Sequence, residues 1–349
     1  MRRLVLLGAP GTKRAVYLMK AADQAGIPIE IWDWRECSGD WRRAFEEKGL
    51  KAAELFLKID PPPWDSCCLE ELNGLALGYE KDLEELARLG EEERISFFNH
   101  PHKVKCLLNK RECKSHLMKS GAAVTETLVE KVSSAEELLE IMERKHMSQV
   151  FLKPVRGSGA AGVAAFRHQK KTGQMVLYTC GLEDPRTGRL VNTKRLRRFA
   201  DKREIMSFLG RLLRLDCMAE RWYAKAEHQG FSYDLRAVVQ GGQVDFMLAR
   251  LSRGPVTNLQ LNNHPLELSE LGLPLSVREQ AQELCRKAVG CFEGLGCAGV
   301  DILLEKGSLR PRVIEMNGQG DLIYQDIYNK NKIYRRQAEM MKEWLYGNG

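Results

Sequence analysis

The segment Lys153-Pro-Val-Arg-Gly157-Ser158-Gly159-Ala-Ala-Gly162-Val163 constrains this chain more than any other. QVFLKP before it and VAAFR after it read as strands, so the glycines carry the chain from one strand to the next. Such a loop lets backbone N–H groups approach phosphate oxygens closely, and the lysine ending the first strand supplies a point charge. It is no Walker loop, which must open a helix. Taken alone, a hairpin with permissive glycines and a surface lysine explains the segment equally well.

A second constellation lies about 150 residues further on. Asp301 sits in GVDILLE, and Glu315 and Asn317 sit in VIEMNGQG. Period-2 alternation puts Glu315 and Asn317 on one face of a strand. If the two strands pair across the Lys306-Gly307-Ser308 turn, Asp301 is their neighbour. Two acids and a carbonyl oxygen make a hard-oxygen site, which suits magnesium when nucleotide phosphates complete its shell. Val313, Ile314 and Met316 make the strand too apolar for a freely solvated face.

Residues 3–35 are β-α-β, with the helix stopped by Gly26. The GAPG turn lacks both G-x-G-x-x-G and G-x-x-x-x-G-K-[ST], so it is read as a tight turn. Helices are expected over 40–58, 79–95 and 103–121, with a break at Pro61–Pro63. A strand at VTETLVE and a helix capped by Ser133 or Ser134 follow. Beyond the glycine loop come strands at MVLYTC and CMAERWY flanking a helix at REIMSFLGRLLRL, then a hairpin about Gly241-Gly242, a helix over SVREQAQELCRKAVG and the acidic hairpin. Asn99-His100-Pro101-His102 is read as a loop, and Lys194-Arg195-Leu196-Arg197-Arg198 as a solvated helix face. The C-terminal helix is assigned to packing. This mixture is α+β rather than a repeating βα barrel.

Composition excludes several classes. In 349 residues, 44% hydrophobic and 29% charged, there is material for two or three ordinary domains, and wholesale disorder is excluded. The apolar run Leu4–Leu7 is too short for a signal peptide, and no apolar stretch is long enough to span a membrane. Ten cysteines without a C-x-x-C pair read as free thiols in a reducing cytoplasm. The net charge of +7 suits an anionic small ligand. No aromatic platform interleaves the 194–198 run, which ranks nucleic acid last among partners.

Lys110, Lys153 with its glycine loop, Glu220-Arg221-Trp222-Tyr223, Asp234-Leu-Arg236, Asp301 and Glu315-x-Asn317 occur in an order that resembles the ATP-grasp superfamily. The similarity is greatest to its ribosomal-protein-modifying and glutathione-synthetase-like carboxylate–amine ligases, over about residues 99–325. It implies a Rossmann-like domain over 1–98, a linker helix over 99–121, a lid over 122–218 and a metal-bearing subdomain over 219–349. ATP and magnesium are the implied cofactors. Lys110, Lys153 and Gly157, Ser158, Gly159 and Gly162 would hold the phosphates. Glu220, Arg221 and Tyr223 would form the adenine hinge, with Glu220 near the exocyclic amine, and Asp234 would meet the ribose. Arg236 and Arg250 would face the terminal phosphate and an acyl phosphate; Asp301, Glu315 and Asn317 would bind the metal. Arg253 would either join the acyl-phosphate site or cap its strand. The implied reaction turns a carboxylate into an acyl phosphate that an amine (or thiol) then attacks. The partners would be a small-molecule or peptide carboxylate and an amine acceptor, with no membrane, and a homodimer is left open. An ATP-binding regulator without turnover and a kinase-like phosphotransferase are the competing readings. The chain lacks the prolines of the family's G-I-P-V-P and E-x-N-x-x-P patterns, having Gly121-Ala-Ala-Val-Thr and EMNGQGDLIYQD instead. The second change alters the wall beside the acceptor, so acceptor identity is not carried over.

Overall fold

The computed structural model describes residues 2–157, 159–261, 263–319 and 331–347. Ser158, Gly320 and Asp321, the last two expected beside the acceptor, lie outside the described residues. The chain opens with β1 (Arg2–Gly8), α1 (Lys13–Ala25), β2 (Ile29–Asp33), α2 (Trp34–Cys37), α3 (Trp41–Glu47), β3 (Glu54–Ile59), α4 (Leu69–Glu92) and β4 (Ile95–Phe97). Four parallel strands in the order β2-β1-β3-β4 form the first sheet. Residues 54–59 are therefore a strand where a charged helix was expected. Leu55, Leu57 and Ile59 are buried, and so is Lys58 on the opposite side. A parallel strand covered on both faces loses the clean alternation that marks an exposed one. Likewise α4 begins ten residues before the expected start, through Gly74 and Gly78, whose poor helix propensity hides it.

Two helices follow, α5 (Pro101–Leu108) and α6 (Lys110–Lys119). One continuous helix was expected. Asn109 interrupts it with extended backbone, and its side chain accepts hydrogen bonds from the N–H groups of Arg111 and Glu112. An asparagine that caps in this way gives α6 a fresh N-terminus and puts Lys110 at its first position. His100 caps α5, so the histidine segment is a helix start rather than a loop throughout.

The second sheet contains β5 (Thr127–Val132), β6 (Gln149–Pro154), β7 (Ala164–Gln169), β8 (Gln174–Glu183), β9 (Leu190–Phe199) and β10 (Cys217–Arg221), with α7 (Ala135–Arg144) and α8 (Lys202–Leu212) on one face. Its order is β5-β10-β6-β7-β8-β9. Leu138 and Ile141 of α7 and Leu209 of α8 pack on Val150, Leu152 and Phe166. Ser134 caps α7. The basic run at 194–198 lies on the edge strand β9, which pairs antiparallel with β8, not on a helix.

The third sheet is built from β11 (Glu227–His228), β12 (Phe231–Gln240), β13 (Gln243–Ser252), β14 (His264–Glu267), β15 (Cys297–Leu304) and β16 (Pro311–Asn317), backed by α9 (Leu275–Gly290). Its main path runs β14-β13-β12-β15-β16. Leu235, Val239, Val300 and Ile302 meet Ala281, Leu284 and Ala288 of α9. The final helix α10 (Lys332–Tyr346) returns to the first sheet, where Tyr334, Ala338 and Met341 pack with Leu4, Leu6 and Leu18. All ten cysteines are free thiols. Among the described residues no helix is long and apolar enough to cross a membrane.

Candidate active site

A cleft of about 340 Å³ lies where the three sheets meet. Its walls carry seven cationic side chains and four carboxylates among the described residues, so the empty cleft favours an anion. The expected residues Lys110, Lys153, Gly157, Gly159, Glu220, Arg221, Tyr223, Asp234, Arg236, Arg250, Asp301, Glu315 and Asn317 all line it. Gly162 does not. It is buried behind the loop with φ +67°, where an added Cβ would stand 2.7 Å from Pro154 Cγ.

Local structure explains the convergence. In antiparallel β6 and β10, Lys153 pairs with Met218, two residues before Glu220, so both side chains share a face, and Lys153 Nζ donates to Glu220 Oε2 at 2.9 Å. Lys114, one turn after Lys110 on α6, reaches Glu220 Oε1 at 2.7 Å. Thr125 donates to the same carboxylate at 2.9 Å. Burial alone would raise Glu220; the charges of Lys153 and Lys114 more than reverse this and hold it at about 2. Burial brings Lys114 down to about 8 despite Glu220. The Glu220 side chain is thus committed to two lysines, which departs from the expected contact with an exocyclic amine. Lys110 Nζ donates to the carbonyl of Gly157 at 2.7 Å, tying the start of α6 to the glycine loop. Gly157, Gly159, Ala160 and Gly162 all have positive φ, a backbone that favours glycine.

Across the cleft, the registers pair Asp234 with Arg250, Arg236 with Asp301, and Asp301 with Glu315. Five charged residues are therefore set on four neighbouring strands. Arg250 donates to both oxygens of Asp234, at 2.8 and 2.7 Å, a bidentate pair buried on both sides. Thr257 also donates to Asp234. Asp234 is therefore the clamp that positions Arg250, not a free acceptor for ribose hydroxyls. Arg250 Nη2 and Arg236 Nε reach Asp301 at 3.1 and 3.0 Å. Burial raises Asp301 in spite of both arginines, whereas Lys110 and Lys153 outweigh burial and lower Glu315.

Two buried polar atoms here, Arg236 Nη1 and Asn317 Nδ2, have no hydrogen-bond partner, and Asp301 Oδ1 has only its ion-pair contact with Arg236 Nε at 3.0 Å. Buried polar groups left unpaired at one spot point to a missing ligand. Cationic side chains thus line one wall and hard oxygens the other. No family model and no curated protein matches the chain. Among solved structures it is similar to D-cycloserine synthetase DcsG, with a TM-score of 0.60 and 15% identity over 98% of this chain and 99% of that one. It is similar also to the ATP-grasp ligase PsnB complexed with minimal precursor, at 0.60 and 14% over 98% and 99%. The macrocyclase MdnC bound with precursor peptide MdnA, from Microcystis aeruginosa MRC, gives 0.58 and 14% over 100% of both chains.

The chain has the ATP-grasp fold. Several residues escaped the sequence reading: Lys114, which touches Glu220 without lining the ATP-grasp cleft, and Lys225, Arg14 and Tyr79, which do line it. Lys114 carried a signal, the four-residue spacing from Lys110 that puts both on one helix face. Lys225 carried none; it donates to Thr257 Oγ1 at 2.5 Å and lies 3.9 Å from Asp234. Burial lowers it to about 8. Arg14 and Tyr79 reach the cleft from the first sheet's helices. Arg253 stacks over the Phe231 ring at 5.2 Å and is not a wall of the cleft.

Proposed function

We propose that the protein is an ATP-dependent carboxylate–amine ligase working through an acyl phosphate, with release of ADP and phosphate. The observation carrying this reading is the meeting of Lys110, Lys153 and the glycine loop with Asp301, Glu315 and Asn317 across one cleft whose buried polar atoms lack partners. Phosphoryl transfer asks chiefly for positioning and charge neutralisation. Lys110 and Lys153 hold the triphosphate while the loop amides close over it. Arg236, with a free Nη1, stabilises charge on the transferring phosphoryl group and on the tetrahedral intermediate. Arg250, oriented by Asp234, supports it. The lid sheet keeps water from the acyl phosphate.

Among the described residues no three His, Cys, Asp or Glu side chains cluster as a self-sufficient metal site. Two carboxylates and an amide fit a magnesium ion that draws its other ligands from phosphate. Glu315, Asn317 and Asp301 Oδ1 would hold it, and when bound it neutralises charge on the phosphate oxygens.

The test is hydroxylamine trapping with ATP and a panel of free amino acids, dicarboxylates and peptides. Hydroxamate formation coupled to ADP release is expected. A stable phosphorylated product without hydroxamate would mark a phosphotransferase, and ATP binding without turnover a regulator.

Lys225 gives a pH prediction. Its value of about 8 lies below the usual 10.5, so it is neutral above pH 8 in the nucleotide-free protein. A bound triphosphate favours the charged form, so binding takes up a proton. The Kd for AMPPNP is expected to rise about tenfold per pH unit above pH 8, toward 10.5. Calorimetry in two buffers of different ionisation enthalpy should show that proton, and Lys225→Met should reduce the uptake, leaving what Lys114 contributes.

A further inference from the structure

Arg156 stands between Val155 and Gly157 at the start of the glycine loop, yet it is not a wall of the cleft. Its half-buried side chain turns instead toward α4, beside the first sheet, where Nε donates to Glu80 Oε1 at 2.8 Å. Glu80 is buried. Asp216, the other acid nearby, is 3.7 Å from Arg156 Nη1 and already accepts from Arg111 Nη2 at 2.8 Å. Glu80 is therefore the close partner of Arg156, in a hydrogen bond strengthened by charge on both groups.

The loop's entry is tied on its other sides to α6 and to the turn before β10. Val155 N–H donates to the carbonyl of Asp216 at 2.9 Å, and Lys110 N–H donates to the carbonyl of Val155 at 3.0 Å. Lys110 Nζ holds the carbonyl of Gly157. Of these contacts only that of Arg156 reaches α4. At the loop's far end α4 is again the neighbour. A Cβ added at Gly162 would stand 3.4 Å from Leu69 Cδ1, and Ala161 packs against the core that includes Leu69. The helix itself is firmly seated, with Tyr79, Leu83 and Leu86 buried among Trp34 and Leu57. A rigid helix thus touches both ends of a segment whose glycines make it pliant.

We propose that Arg156 and Glu80 are positioning residues, a strut that holds the glycine loop against α4 so that its backbone is set over the phosphates before nucleotide arrives. This rests on the ligase reading. Neither side chain touches the reacting atoms. Released from α4, the loop samples more conformations, and nucleotide binding must then bear the entropy of ordering it. A loop lifted from the cleft also admits water to the acyl phosphate. The water oxygen attacks the acyl carbon and the C–O bond to phosphate breaks. One water proton leaves with phosphate, the other goes to solvent, and the carboxylate is released unjoined.

The experiment titrates the full chain with AMPPNP and magnesium by calorimetry and, with ATP, hydroxylamine and a carboxylate the wild type accepts, measures ADP formed per hydroxamate. Arg156→Met and Glu80→Met are each expected to raise the AMPPNP Kd about tenfold and to lift the ADP-to-hydroxamate ratio above that of wild type. The double variant should bind no more weakly than either single one, because both remove the same bond, and Arg156→Lys should recover part of the affinity. A general loss of stability would instead give additive effects without recovery. Glu80→Met strands no charge, since Arg156 keeps Asp216, so it reads the strut even if Arg156→Met unfolds. An AMPPNP Kd within about twofold of wild type in Glu80→Met, or additive losses in the double variant, overturns the strut. Coupled turnover by the wild type with variants equally coupled overturns the strut alone. No hydroxamate from the wild type, with the AMPPNP losses still present, removes the ligase reading and supports the strut.

Discussion

Asp234→Ala is expected to cost about 3–5 kcal/mol of folding stability, the penalty for leaving a buried charge without its partner. Asp234 and Arg250 are 1% and 4% exposed and share two hydrogen bonds. Without the carboxylate, Arg250 keeps only Asp301, which it must share with Arg236, and Lys225 adds repulsion. A buried guanidinium cannot shed its proton to escape. Asp234→Asn, which retains an acceptor but no charge, should fall between alanine and wild type. Urea unfolding measures both. A midpoint for Asp234→Ala equal to wild type would mean that the pair is not a buried clamp.

The second large effect is on catalysis. Lys153→Met should lower the rate of ADP release about 10²–10³-fold, as for loss of a preorganised group that stabilises developing charge. The fold should tolerate this change. Glu220 would still have Lys114 at 2.7 Å and Thr125 at 2.9 Å, so no buried carboxylate is left alone. Glu315→Gln should give a loss of the same order through the opposite wall. The assay uses whichever carboxylate of the panel the wild type accepts, and the melting curve of each variant controls for folding. ADP release within twofold of wild type in both variants would remove these residues from the chemistry.

Lys153, its loop and Asp301/Glu315/Asn317 were legible because each sits at a strand end or on an alternating strand, where period-2 spacing fixes the face. The cross-strand registers that join them were not legible. Asp234 and Glu220 look like free acids in a sequence, yet the pairing of β12 with β13 and of β6 with β10 gives each a cation. Lys225 and Arg14 stand alone in polar surroundings, and only tertiary folding brings them to the cleft. The strand at 54–59 was hidden by Lys58, whose charge is neutralised by Asp60 two residues on. The basic run on β9 was misread because a short charged stretch with one leucine satisfies either period.

The central claim is that one bound triphosphate joins the cations of α6 and β6 to the oxygens of β15 and β16. A crystal structure with AMPPNP and magnesium tests it most directly. Phosphate oxygens are expected within hydrogen-bonding distance of Lys110 and Lys153, and the ion between Asp301 and Glu315. Nucleotide bound elsewhere, with Lys153 still held only by Glu220, would contradict it.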